Sequence, residues 1–212
     1  MMDSNHLVLL ILVAGAGFYI YSQQQRRTRR VANPKRALTI QNVGAGGVVA
    51  LRGVGPDLED LDLTILGRHS YDEDGYRWFE LQGDAGNRTL WLSVEDDDTL
   101  EVCLTLRKEP LAALGVAEAQ LRAMQKAKQG SVQFEGQTYH FDEAGKAIFY
   151  RNEDRLPPNG EAFHYWEFLS EDEQNGITVE QWGNSGNFEC HIYQCLRPAQ
   201  YTVYALEGSD AL

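Results

Sequence analysis

Basic side chains are scarce in this chain of 212 residues: 19 Lys and Arg stand against 31 Asp and Glu, a net charge of −12. The few bases also gather at one end. Residues 1–36 hold six of them (Arg26, Arg27, Arg29, Arg30, Lys35, Arg36) and one acid, Asp3, so the remaining 176 residues carry 13 bases and 30 acids. A body of −17 repels phosphate backbones, and nucleic-acid affinity rests on phosphate neutralisation, so no nucleic acid is expected as its partner. Cysteine is equally short. Three in this length cannot build a disulfide scaffold, and at 43% hydrophobic the chain has apolar material for one or two ordinary domains instead.

Catalytic signatures are missing as well. Ser70 beside His69, and Ser185 near His191, lack any nucleophile-elbow sequence. Gly44-x-Gly46-Gly47 lacks the third glycine of a dinucleotide fingerprint and precedes a strand rather than a helix, so it reads as a turn. Cys190-His191 and Cys195 lie close together, but residues five apart on a strand point to opposite faces, so the two sulfurs cannot share an ion unless the strand breaks. With Cys103 alone, all three read as small buried thiols of a reducing cytosol; a Cys190–Cys195 disulfide would need a periplasmic body. His69, His140, His164 and His191 read as strand-face or interface residues. No catalytic residue, metal ligand or cofactor is therefore assigned.

Long apolar runs are absent but for one. Leu7 to Tyr21 (LVLLILVAGAGFYIY) is uncharged and almost wholly apolar, and the uncharged stretch continues through Ser22 to Gln25. A bilayer core takes roughly 20 helical residues, so the span is short but sufficient. A signal peptide would need bases before the run and a small-x-small site after it; here the order is reversed. Residues 1–25 are expected to form an N-terminal transmembrane anchor and 26–37 a basic juxtamembrane linker. The positive-inside rule keeps Arg26, Arg27, Arg29 and Arg30 cytoplasmic, where they would contact anionic membrane lipid. The expected location is the bacterial inner membrane, single-pass, with the N-terminus outside and the C-terminal domain cytoplasmic.

The body reads as β. Leu61-x-Leu63-x-Ile65, Leu90-x-Leu92-x-Val94 and Leu100-x-Val102-x-Leu104-x-Leu106 alternate, with Asp74-Gly75 and Asp96-Asp97-Asp98 as turns between strands. Pro110 to Lys128 instead has helical spacing, after which strand signals resume. YRWFEL at Tyr76 to Leu81 matches HYWEFL at His164 to Leu169, with Trp78 over Trp166, and the same offset of 88 aligns Leu100-Glu101-Val102 with Phe188-Glu189-Cys190. The expected fold is mainly β with the N-terminal transmembrane helix: a first β module over 38–107, a helical linker over 108–130, a second β module over 131–206 and a tail over 207–212. The two modules are expected to be tandem, duplicated small barrels or half-barrels.

The acidic turns are the polar features dense enough to suggest a ligand. Asp72-Glu73-Asp74, Glu95-Asp96-Asp97-Asp98 and Glu171-Asp172-Glu173 would offer carboxylates to Ca²⁺, a polyamine or a basic partner segment, with Asp72, Asp74, Glu95, Asp96, Asp97 and Asp98 as the candidates. None has EF-hand spacing, and solvated turns explain them equally well. Trp78, Trp166 and Trp182 offer an aromatic binding face, with core packing as the competing reading.

Tyr165-Trp166-Glu167-Phe168-Leu169, then Ile177-Thr178-Val179-Glu180-Gln181-Trp182 after a turn, together with Ile40 to Gly47 and Leu63 to Glu80, resemble a bacterial family known as a domain of unknown function. The resemblance covers roughly residues 38–206 and carries no catalytic residues. It implies gene clusters that include phage-shock-protein-A-like membrane remodelling proteins, multi-pass membrane proteins and polyamine-synthesis enzymes. The expected function is a non-enzymatic, membrane-anchored adaptor or scaffold in a membrane-stress system, with a membrane-remodelling or multi-pass protein as partner. The alternative is a sensor or enzyme that binds a polyamine or divalent cation through acidic loops.

Overall fold

The computed structural model describes residues 38–153, 159–183 and 186–205. Within them lie β1 (Gly47–Val54), β2 (Glu59–Glu73), β3 (Tyr76–Asp84), β4 (Thr89–Asp96) and β5 (Leu100–Glu109). A 3-10 turn at Leu111–Leu114 and the helix α1 (Glu118–Ala127) follow. The chain then forms β6 (Ser131–Phe134), β7 (Gln137–Tyr150), β8 (Gly160–Ser170), β9 (Asn175–Trp182), β10 (Asn187–Cys195) and β11 (Tyr201–Ala205).

The strands join one antiparallel sheet in the order β11-β1-β2-β3-β4-β5-β10-β9-β8-β7-β6. A further pairing sets Ser70, Tyr71 and Asp72 of β2 against Tyr150, Phe149 and Ile148 of β7. That contact closes β2-β3-β4-β5-β10-β9-β8-β7 into a ring of eight strands. Each half of the chain contributes four strands to this one barrel, so neither closes a barrel of its own. Its seams are β5–β10 and β2–β7.

Two apolar cores sit on the outer face of this ring. Phe79 and Leu81 of β3, Leu92 and Val94 of β4, and Val102 and Leu104 of β5 point outward, where Ile40, Val43, Val49 and Leu51 cover them. Trp166 and Phe168 of β8, Ile177 and Val179 of β9, and Ile192 of β10 do the same under Leu114, Leu121, Val132 and Phe134. Period-2 alternation puts the intervening residues inside the ring. Helix α1 begins at Ala117, whose N–H is taken by the Gln120 side chain at 2.8 Å, stops at Lys128 with φ +50, and buries Leu121. Its role is to seal the second core.

Both long strands change faces midway. In β2 the register slips between Ile65 and Gly67, so Leu63 and Ile65 pack in the first core while Tyr71 points into the ring. In β7 the slip lies between Phe141 and Ala144, and Phe141 packs outward while Ala147 and Phe149 join an inner aromatic cluster with Tyr71, Phe163 and Tyr165. An extra residue reverses every later side chain, which is how one strand serves two compartments.

Among the described residues no helix is long and apolar enough to cross a membrane. The transmembrane fold class and the single-pass inner-membrane location are corrected accordingly. Residues 7–25, on which both rested, and the basic residues Arg26, Arg27, Arg29 and Arg30 lie outside the described residues.

Candidate functional site

The ring encloses a chamber of about 370 Å³, and all eight of its strands line it. From the first half come Tyr71 and Glu73 of β2, Tyr76, Trp78 and Glu80 of β3, Ser93 and Glu95 of β4, and Glu101, Cys103 and Thr105 of β5. The second half supplies Glu143 and Ala144 of β7, Phe163, Tyr165 and Glu167 of β8, Thr178 and Glu180 of β9, and His191 and Tyr193 of β10. Seven of these are glutamates. Among the described residues none of those lining it is Lys or Arg.

Tyrosine hydroxyls hold the carboxylates apart. Tyr71 donates to Glu80 at 2.7 Å, Tyr76 to Glu95 at 2.9 Å, and Tyr165 to Glu73 at 2.5 Å and Glu143 at 3.1 Å. Tyr193 donates to Glu167. Burial and the adjoining carboxylates raise the pKa of Tyr71, Tyr165 and Tyr193, so these hydroxyls stay protonated and act as donors. Two glycines make the room: a Cβ at Gly145 would overlap the Glu73 carboxylate, and one at Gly176 would overlap the Tyr193 ring. The walls between are aromatic, with Tyr71 stacked on Trp78 at 5.1 Å.

Burial with too little counter-charge changes the acids. It pushes Glu167 up to about 8, helped by the negative charge of Glu95, Glu143 and Asp142 and only partly offset by the Tyr193 hydroxyl. Glu180 also rises to about 8, through burial and then Glu80. Burial raises Glu80, Glu95 and Glu143 as well. Glu167 and Glu180 thus retain protons at neutral pH and would give them up to a cation.

A second chamber of about 320 Å³ lies beside the first and shares Tyr71, Glu80, Glu180 and His191 with it. Trp91, Phe149 and Trp182 form its walls, and here bases do appear, as Lys108 and Arg151. Lys108 Nζ reaches Glu189 at 2.7 Å, and Trp182 Nε1 donates to Glu180 at 2.9 Å. Burial, then Lys108, holds His191 down to about 4, so its imidazole is neutral. Among the described residues, two groups of side chains bring donor atoms within metal-binding reach of one another, Glu101–Cys103–Cys195 and Glu180–Glu189–His191. In the first the sulfurs are joined to each other, which removes the thiolates a metal would need.

The structure separates the candidates read from sequence. Glu95 lines the chamber, whereas Asp74, Asp97 and Asp98 are exposed between strands, Asp96 is exposed at the end of β4, and Asp72 pairs with Arg77 at 2.7 Å. Trp78 lines the first chamber and Trp182 the second, while Trp166 is fully buried in the outer core. One face cannot hold all three. Cysteine is also corrected: Cys103 and Cys195 oppose each other across β5–β10 and form a disulfide, leaving Cys190 as the free, buried thiol. Sequence reading passed over Glu80, Glu101, Glu143, Glu167, Glu180 and Tyr193. Their one signal was the polar half of each alternating strand.

No curated protein and no solved structure matches the chain. Residues 57–194 do match a protein family, and that span opens just before β2 and ends within β10, enclosing the eight barrel strands and leaving β1 and β11 outside. By that match the chain belongs to the family described as Domain of unknown function (DUF4178).

Proposed function

We propose that the barrel is a receptor for a small organic di- or polyamine. The observation that carries this reading is the set of seven glutamates, with no Lys or Arg among the described lining residues, around an aromatic-walled chamber of about 370 Å³. That volume falls in the range of small-molecule sites. An anion would meet carboxyl groups and no facing base, and a metal ion in the lumen would meet carboxylates spread over seven strands, five of them held by tyrosine hydroxyls. An extended amine suits that spacing, since each ammonium can take a carboxylate while its methylenes and charge lie against Trp78, Tyr76 and Phe163. Inclusion of the whole barrel in the family span supports the lumen as the feature in common.

Duplication of a four-strand unit accounts for the two lining sets. β2 and β7, which meet at one seam, both change faces at a bulge.

A thermal-shift comparison of spermidine and putrescine with dicarboxylic acids of equal length tests the amine reading. An amine at 100 times its dissociation constant stabilises the fold by about 2.7 kcal/mol, and the acids do nothing. If no amine moves the transition, and a protein partner is captured equally by wild type and Glu167→Gln, the adaptor role expected from sequence takes its place.

A further inference from the structure

Glu180 and Glu189 face each other across the β9–β10 ladder, and His191 lies two residues beyond Glu189 on the same face. Like charges directly opposite on paired strands destabilise a sheet. Glu180 is only 6% exposed and faces Glu80 as well. Lys108 offsets Glu189, but Glu180 receives the Trp182 indole, which orients the carboxylate without neutralising it.

The donor spacing is that of a metal site. His191 Nε2 stands 3.4 Å from Glu189 Oε2 and 3.9 Å from Glu180 Oε2, and one donor atom from each residue lies within 4.8 Å of the other two. Donors held at ~2.0–2.1 Å from a tetrahedral Zn²⁺ sit roughly 3.3 Å apart, so a contraction well under an ångström brings the His191 contacts to that spacing. One imidazole and two carboxylates are a borderline-hard set that favours first-row divalent ions over soft ones. We infer that Glu180, Glu189 and His191 form a three-ligand site for a divalent metal of the Zn²⁺ class, set where the two chambers meet. The remaining coordination position opens to the lumen, since Glu180 and His191 line both chambers. Glu180 is shared with the seven glutamates of the amine reading, whereas Glu189 is not, so Glu189→Gln separates the two.

The test is titration of the metal-stripped full chain with Zn²⁺ by calorimetry and with Co²⁺ by visible absorption. The expected result is one Zn²⁺ per chain, with Co²⁺ bands of four- or five-coordination. His191→Ala and Glu189→Gln each weaken Zn²⁺ more than tenfold; Glu189 is exposed, so its variant folds even if the histidine variant does not. Lys108→Met strengthens binding by removing the cation that competes for Glu189. Glu95→Gln leaves it unchanged. Absence of saturable binding, unchanged affinity in Glu189→Gln, or equal weakening by Glu95→Gln would each overturn the assignment, the last because general acidity would then be holding the ion.

Discussion

Glu167 lies inside the barrel with its carboxyl under the Tyr193 hydroxyl and the charges of Glu95, Glu143 and Asp142 around it, and its pKa stands at about 8. In the unfolded chain the same group titrates at 4.5. Between pH 6.5 and 8 the unfolded state is therefore fully ionised there while the folded state still holds a proton, so stability falls as pH rises. A full proton of difference is worth about 1.4 kcal/mol per pH unit, and over this window the partial protonation gives roughly 1.5–2 kcal/mol. For a domain of this size that corresponds to a Tm change of roughly 3–8 °C. Glu167→Gln keeps the shape and removes the titration. Glu180, which rises for the same reason, is present in both proteins and cancels in the comparison. His191, held at about 4 against its usual 6.5, loses stability in the opposite direction, as pH falls through 6.5, and it too is present in both proteins and cancels. Thermal unfolding of the amine-free proteins at pH 6.5 and 8 is the assay: wild-type Tm should drop by that much more than the variant's. Parallel curves, or a variant less stable than wild type at pH 8, would refute the claim that this carboxyl is buried at an energetic cost.

The aromatic residues should divide by compartment. Trp166→Ala empties a fully buried site and should cost about 3–5 kcal/mol in urea unfolding. Trp78→Ala should cost much less and instead weaken amine binding, because Trp78 lines the chamber. The Cys103–Cys195 bridge spans a separation of 92 residues, for which loop-closure entropy predicts about 4–5 kcal/mol of stability; urea unfolding with and without reductant measures it, and coincident curves would contradict the bridge. Burial pushes the Cys190 thiol up to about 12, so alkylation of the native, unreduced protein should be slow and should become fast in urea.

Strand existence was legible because alternation is local. Leu61, Leu63 and Ile65, then Leu90, Leu92 and Val94, mark β2 and β4 by themselves, and Pro110 to Lys128 does hold the 3-10 turn and α1. The chamber was not legible, because the same alternation says only that one face is polar. Ser93, Thr178 and Glu180 read as water-facing until the β2–β7 and β5–β10 seams close the ring and turn that face inward. Bulges compound the difficulty: after Ile65 and after Phe141 the parity reverses, and no count along the chain announces it. The offset of 88 carries a similar trap, since it sets Trp78 over Trp166 although the two point to opposite sides of the barrel wall. Cys103 and Cys195 pair only because β5 and β10 are neighbours, a contact between distant segments.

Calorimetric titration of spermidine into the full chain at pH 7, repeated in two buffers of different ionisation enthalpy, addresses the central claim most directly. A cation entering the chamber must drive Glu167 and its neighbours to ionise, so binding should saturate at one ligand per chain, release protons to the buffer, and weaken in Glu167→Gln. Absence of saturable binding, or binding with no proton release and no sensitivity to Glu167→Gln, would contradict the account.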